Sequence, residues 1–154
     1  MSELGAYDFS IRAASILDLP GICAVERASF ATNAYPSFLL EKLILDPQAV
    51  FIILADQAGR IIGYCVAKTN STFSHLISVA VLPEHRRRGA ASRMLNELLS
   101  ASSQRGIQEV GLEVRLDNVP AIRLYRSFGF TDVNVTPNYY SDGSAALGMR
   151  KIVS

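Results

Sequence analysis

The sequence predicts a mixed α/β fold in one domain, residues 1–154, with elements in the order β-α-α-β-β-β-α-β-α-β-β. Three observations carry this prediction. Apolar residues alternate with polar ones over several short stretches bounded by Gly, Pro, Asn and Asp, the mark of half-buried strands. Helix-spaced apolar patterns with start and stop signals lie between them. One stretch, "VAVLPEHRRRGAASRML" from Val79 to Leu95, passes from apolar strand to basic turn to glycine to helix.

"FSIRAA" alternates and forms the first strand. Asp18 is expected to cap a helix with Pro20 in its first turn, running through "GICAVERASF". "ATNAYP" is a loop, and Ser37 is expected to cap a second helix, "FLLEKLIL", which stops at Asp46 before Pro47. "AVFIILAD" and "IIGYCVAKT" form a hairpin across "QAGR", and "SHLISVAVL" is the next strand. "RGAASRMLNELLSASSQR" is a helix ended by Gly106. "EVGLEVRL" is a strand, "VPAIRLYRSF" a helix ended by Gly129, and "FTDVNV" and "AALGMRK" close the chain as strands across the polar loop "TPNYYSDGS". No internal repeat, low-complexity tract or linker divides the chain.

Composition narrows the function classes. Apolar residues make up 49% of the 154 and charged residues 19%, the balance of a globular protein and not of a disordered one. A formal net charge of +1 supplies no overall field for nucleic acid or anionic lipid, so any anion site must be local. "MSELGAYDFSIRA" lacks the basic start and apolar core of a secretory signal, and "AVFIILA" is too short to span a bilayer. The expectation is a cytoplasmic protein with no membrane or nucleic-acid partner. Cys23 and Cys65 sit in apolar patterns and read as buried small hydrophobes. His75 and His85 share no ligand spacing with either cysteine, so no metal is expected.

The Val79–Leu95 stretch has a physical use. A helix beginning near Gly89 directs unpaired backbone N–H groups, and the positive end of its dipole, at the preceding turn. Gly89 lets an anion approach the backbone, Ala90 and Ala91 keep the approach clear, and Arg86 and Arg88 add charge. No "GK[ST]" or "GxGxxG" accompanies it, which excludes a Walker loop and weakens a dinucleotide site. A solvated basic turn remains the alternative, and a nucleic-acid-binding surface built on "HRRR" lacks a second basic stripe.

Three other residues stand out. In "VGLEVRL", Val110, Leu112, Val114 and Leu116 define one apolar strand face, and Glu113 projects from the other. Spacing alone makes Glu113 a surface carboxylate or an ion-pair partner of Arg115 or Arg123. Tyr125 lies beside an expected core stripe of Ala121, Leu124 and Phe128, where a tyrosine commonly forms a core edge. Asn118, two residues before Pro120, can cap the helix.

"RRRGAA" matches the Arg/Gln-x-x-Gly-x-Gly/Ala signature of the GNAT acyltransferases. "LEVRLDNVPAIRLYRSFGF" resembles a segment of their RimI and Ard branch of protein N-terminal acetyltransferases. "VERASF" is similar to that branch's first helix, and "NYYSDGSAALGM" to its tail. The resemblance spans nearly the whole chain. It implies a twisted, mostly antiparallel sheet of about seven strands flanked by about four helices, and acetyl-CoA as co-substrate. By resemblance, Arg86, Arg87, Arg88, Gly89, Ala90 and Ala91 hold the pyrophosphate and Asn118 touches the coenzyme. Backbone N–H groups among Val79, Ala80 and Val81 stabilise the oxyanion. Glu113 is the general base and Tyr125 the general acid. Phe30 and Tyr35 on one side, and Tyr139 and Tyr140 on the other, flank the acceptor. The chain departs from the branch in having "AYPS" where a Pro-Trp is usual, and in lacking the usual acidic residue within "SAALGM".

The implied activity is transfer of acetyl to the N-terminal α-amine of a protein or peptide, a ribosomal protein among the candidates, by a monomer or weak dimer. The alternatives are transfer to a small amine or a lysine side chain, and an acyl-CoA-binding regulatory module without turnover. Binding alone needs neither Glu113 nor Tyr125, which speaks against the module.

Overall fold

A computed structural model describes residues 9–153. Its strands are β1 (Ser10–Ala13), β2 (Ala49–Ala55), β3 (Ile61–Asn70), β4 (Phe73–Val81), β5 (Glu109–Arg115), β6 (Thr131–Thr136) and β7 (Ala146–Ile152). Its helices are α1 (Leu19–Phe30), α2 (Ser37–Ile44), α3 (Ala90–Gln104) and α4 (Val119–Ser127). The "MSELGAYD" lead, residues 1–8, lies outside the described residues. The element order is the one the sequence predicts. The seven strands form one sheet in the order β1-β2-β3-β4-β5-β7-β6. Every neighbouring pair is antiparallel except β4 and β5.

The two halves of the sheet are covered differently. β2 is buried along its whole length and β3 along most of it, which requires layers on both faces. Tyr64 and Cys65 are neighbours on β3 and so point to opposite faces. Tyr64 bonds Glu26 of α1, and Cys65 bonds the Met94 carbonyl of α3. α1 and α3 therefore sandwich the β2–β4 region. β6 is exposed throughout and closes the far edge of the sheet.

Local chemistry corrects several expectations. Asp18 holds the N-cap position of α1, with Pro20 in the first turn, but its side chain makes no capping bond to the helix. Its carboxylate takes both guanidinium nitrogens of Arg12 at 2.8 Å and the backbone N–H of Ser15 at 2.8 Å, so it organises the turn before the helix. The N-cap of α2 is Pro36, with Ser37 as the first helical residue. Leu116 lies past the end of β5 and is exposed, whereas Val110, Leu112 and Val114 are buried as expected. α4 is turned from the predicted stripe. Ile122 and Tyr125 are its buried residues, and Ala121, Leu124 and Phe128 only flank them. Gly106 and Gly129 stop α3 and α4 as predicted, at φ +82° and +93°. Among the described residues, no helix is long and apolar enough to cross a membrane.

Candidate active site

β4 and β5 pair only over Phe73–His75 and Glu109–Gly111. Beyond that the two strands part. Val79, Ala80 and Val81 pair with Cys65, Tyr64 and Gly63 of β3, and past His75 no β5 residue pairs with β4. The backbone on the β5 side of β4 thus borders a gap in the middle of the sheet.

The gap leads to the predicted anion cradle. After β4 the chain passes a 3-10 turn at Pro83–His85 and the exposed Arg86, Arg87 and Arg88. Gly89 then adopts φ +76° as the N-cap of α3, and no side chain caps the helix. A Cβ at Gly89 would meet nothing within 4 Å, so the space over the helix terminus is open. Arg86 donates from Nε to the Val81 carbonyl at 2.9 Å, which lays its side chain along the end of β4. Ala90 is buried and Ala91 half-buried. An uncapped helix start, an open glycine and adjacent guanidinium groups fit a pyrophosphate.

On the α1 face, Glu113 Oε1 lies 2.6 Å from His75 Nε2 and accepts from the Tyr139 hydroxyl at 3.5 Å. These partners replace the Arg115 or Arg123 pairing allowed by spacing. Arg115 instead pairs with Asp142 and Asp117. His75 and Glu113 also line a shallow cavity of about 90 Å³ that continues over the sheet toward Asn134 and Arg150. Tyr139 and Tyr140 meet edge to face, with ring centroids 5.0 Å apart. Burial raises the pKa of Tyr139, and the Glu113 charge raises it further. Burial, then the neighbouring Tyr139 and Glu113, push Tyr140 up to about 12.

The opposite wall comes from α1 and the loop after it. Glu26 is 1% exposed. It accepts from the Tyr64 hydroxyl and from the Tyr35 backbone N–H at 2.9 Å, while Tyr64 also bonds Ser78 of β4 at 3.2 Å. This network fixes Tyr35 within electrostatic reach of Tyr139 and Tyr140. Ser141 donates to Asn33 Oδ1 at 3.3 Å and joins the two loops. Of the predicted acceptor residues, Tyr35, Tyr139 and Tyr140 come together. Phe30, exposed at the end of α1, takes no part in these hydrogen bonds and ring contacts.

Tyr125 is 9% exposed and packs edge to face on Phe130 at 5.8 Å. Burial raises its pKa well above the ordinary phenol value, helped by Cys65 on the α3 face and Tyr140 across the sheet. Asn118 accepts from the Ala121 N–H at 3.3 Å and caps α4, as its sequence context predicts.

Sequence reasoning missed His75 and Glu26. A histidine inside the apolar run "SHLISVAVL" is a signal, but simple alternation assigns it to the face of Ile77 and Val79. The β4 register shifts against β3, so that Ser78 pairs with Val66, Leu76 with Ala67, and Ile77 is extra. The extra residue brings His75 and Ser78 onto one face. A carboxylate in "VERASF" is likewise a signal once α1 is placed over the sheet.

Comparison with known proteins agrees with this geometry. Residues 15–130 match the acetyltransferase (GNAT) family. An N-alpha-acetyltransferase of Sulfurisphaera tokodaii is 32% identical over 92% of this chain and 92% of its own. The structure of Ard1 from Thermoplasma volcanium superposes with a TM-score of 0.86 at 32% identity, covering 95% of this chain and 98% of that one. The ribosomal-protein-S18-alanine N-acetyltransferase from Escherichia coli superposes with a TM-score of 0.88 at 26% identity, covering 95% and 94%.

Proposed function

The chain belongs to the acetyltransferase (GNAT) family, and on that premise we propose that it transfers acetyl from acetyl-CoA to the N-terminal α-amine of a protein or peptide. In this reading residues 1–154 work as one domain, in the cytoplasm, as a monomer or weak dimer. The supporting observation is the early parting of β4 from β5, with an uncapped, open helix start after β4 and the Glu113 carboxylate on β5. Glu113 stands on the α1 face with His75 and Tyr139, and Tyr125 is a buried phenol on α4.

The α3 N-terminus with Gly89, Ala90 and Ala91, and the Arg86–Arg88 side chains, hold the coenzyme pyrophosphate. Asn118, beyond its cap bond, faces the coenzyme from the start of α4. An α-amine has an ordinary pKa of about 7.7–8.0, and only its neutral form is a nucleophile. Glu113 accepts the proton as the nitrogen attacks the thioester carbon, and His75 holds the carboxylate in place. Of the backbone N–H groups of Val79, Ala80 and Val81, those of Val79 and Val81 face away from β3 and border the site where negative charge develops on oxygen, whereas Ala80 pairs with Tyr64. The C–S bond then breaks, and Tyr125 gives the sulfur its proton. The Tyr125 phenol holds its proton at neutral pH, and its burial raises the pKa further. Attack is direct. Burial also pushes the Cys65 thiol up, which makes it a poor nucleophile.

Tyr35, Tyr139 and Tyr140 form the acceptor walls, and Phe30 is assigned to them by the family resemblance alone. Relatives named N-alpha-acetyltransferase and ribosomal-protein-S18-alanine N-acetyltransferase support a protein N-terminus, a ribosomal one included, as acceptor. The test is acetyl transfer from acetyl-CoA to short peptides with varied first residues, each with a free or blocked α-amine, beside lysine and polyamines. Transfer to free N-termini alone is expected. Brisk acetylation of a blocked lysine peptide would assign the activity to side-chain amines. Coenzyme binding without turnover on any amine would leave a binding module.

A further inference from the structure

We infer that Arg115 is a positioning residue that builds the acceptor wall before any acceptor arrives, an inference that rests on the acceptor face assigned above. Arg115 ends β5, two residues after Glu113 on the same strand face. Its guanidinium lies over the Tyr140 ring at 5.2 Å, pairs with Asp142 at 2.9 Å, and reaches Asp117 at 3.4 Å. One side chain thus joins three segments. They are the strand that carries Glu113, the β6–β7 loop that carries Tyr139 and Tyr140, and the turn that leads through Asn118 into the helix of Tyr125.

The loop is built to receive this contact. Asp142 also accepts from the Ser144 N–H at 3.0 Å and from the Ser144 hydroxyl. Tyr139 and Tyr140 both donate their N–H groups to the Ser144 carbonyl at 3.1 Å, and Gly143 donates to the Tyr140 carbonyl at 2.9 Å. These bonds fold the loop on itself, and Arg115 is its ionic anchor to the sheet. The planar guanidinium serves two geometries at once, face-on to a ring and in line with a carboxylate. Lysine supplies only a point charge and cannot satisfy both.

Arg115 therefore acts on the acceptor through Tyr140. A half-exposed cation–π contact and a half-exposed ion pair are each worth a severalfold shift in an equilibrium, so their joint loss should amount to about tenfold. Arg115→Lys should raise KM about tenfold for whichever amine the wild type acetylates, with KM for acetyl-CoA within about twofold. Asp142→Asn should move acceptor KM the same way by less. In Arg115→Lys/Tyr140→Ala, acceptor KM should rise by less than the product of the two single effects, because both act through the same wall.

Amide hydrogen exchange gives a second readout, independent of the reaction. In Arg115→Lys the amides of Tyr139, Tyr140 and Gly143 should exchange about tenfold faster, while those of β2 and β3 keep their wild-type rates. Unchanged loop exchange overturns the inference whatever the enzyme acetylates. So does an acceptor KM that stays put, or one that adds fully to the effect of Tyr140→Ala. Absence of α-amine transfer by the wild type, with loop exchange altered as expected, would sink the assigned acceptor and leave the anchor standing.

Discussion

On the α3 side of the gap, the cradle is made of backbone: a helix start without a cap, a glycine at positive φ, and open space above it. On the α1 side, the acceptor face is made of side chains from α1, β3, β4, β5 and two loops, each held by another. The first depends on a few consecutive residues. The second depends on contacts between residues far apart in the chain. A change that blocks the backbone of the cradle should remove binding outright, whereas changes on the acceptor face should separate proton transfer from acceptor affinity.

Gly89→Glu tests the first half of this contrast and should have the largest effect. Opposing like charge to a pyrophosphate costs several kcal/mol, so calorimetry should show acetyl-CoA affinity reduced more than about a hundredfold. Gly89→Ala sharpens the point. It adds a methyl group to open space and should chiefly strain the left-handed backbone, by about 1 kcal/mol of stability. Equal loss of affinity in both variants would mean that side-chain bulk is not what matters there.

Next in size are the proton transfers. Glu113→Gln should bind acetyl-CoA normally and lower kcat by ~10²–10⁴ at neutral pH. The loss should shrink as pH rises, because the amine then deprotonates in bulk water. Tyr125→Phe should cost a similar or smaller factor, with no rescue at high pH, since the leaving sulfur and not the amine lacks its partner. A high-pH rescue of Tyr125→Phe, or wild-type turnover by Glu113→Gln at pH 7, would reverse or erase the assignment.

Tyr140→Ala should raise KM for peptide about tenfold and leave acetyl-CoA affinity unchanged, the signature of a wall and not a reacting group. An equal shift for both substrates would merge the two sides.

The smallest effect lies away from both. The Arg12 guanidinium, with the Ser15 N–H, holds the Asp18 carboxylate below its ordinary pKa. A depressed carboxylate contributes stability that is fully present above its unfolded pKa of about 3.9 and is lost as pH falls through the folded value. The stability gap between wild type and Asp18→Asn should be constant from about pH 7 to 5, at about 1 kcal/mol or less, and close below about pH 4. Urea titrations at several pH values would show it, and a gap that persists at low pH would mean that packing, not charge, holds this turn.

The same contrast explains how much was legible in the sequence. The strands, the helices and the cradle follow from contiguous patterns, because a strand-turn-glycine-helix is a local object. Asn118 as a cap is local too. Glu113 and Tyr125 stood out by residue type, but the catalytic roles proposed for them, over those of a surface carboxylate and a core-edge ring, rest on the family resemblance. His75 was hidden by the extra residue Ile77, since one inserted residue reverses the faces that period-two counting assigns. Glu26 and Tyr35 were hidden by distance, because a bond across a loop leaves no periodic trace. Asp18 misled for the opposite reason. It stands where a cap belongs, and a nearer cation claims it.

The short pairing of β4 with β5 has a consequence for how the chain acquires activity. β2–β3 and β3–β4 are closed by neighbouring segments, as is β6–β7, whereas joining β4 to β5 must wait for the whole crossover through α3. With only three residue pairs to reward it, this junction should be the last to form. Secondary structure should then return first on dilution from denaturant, and acetyl transfer only after a lag, because the proposed site comes into being at the meeting of two halves that are each already built.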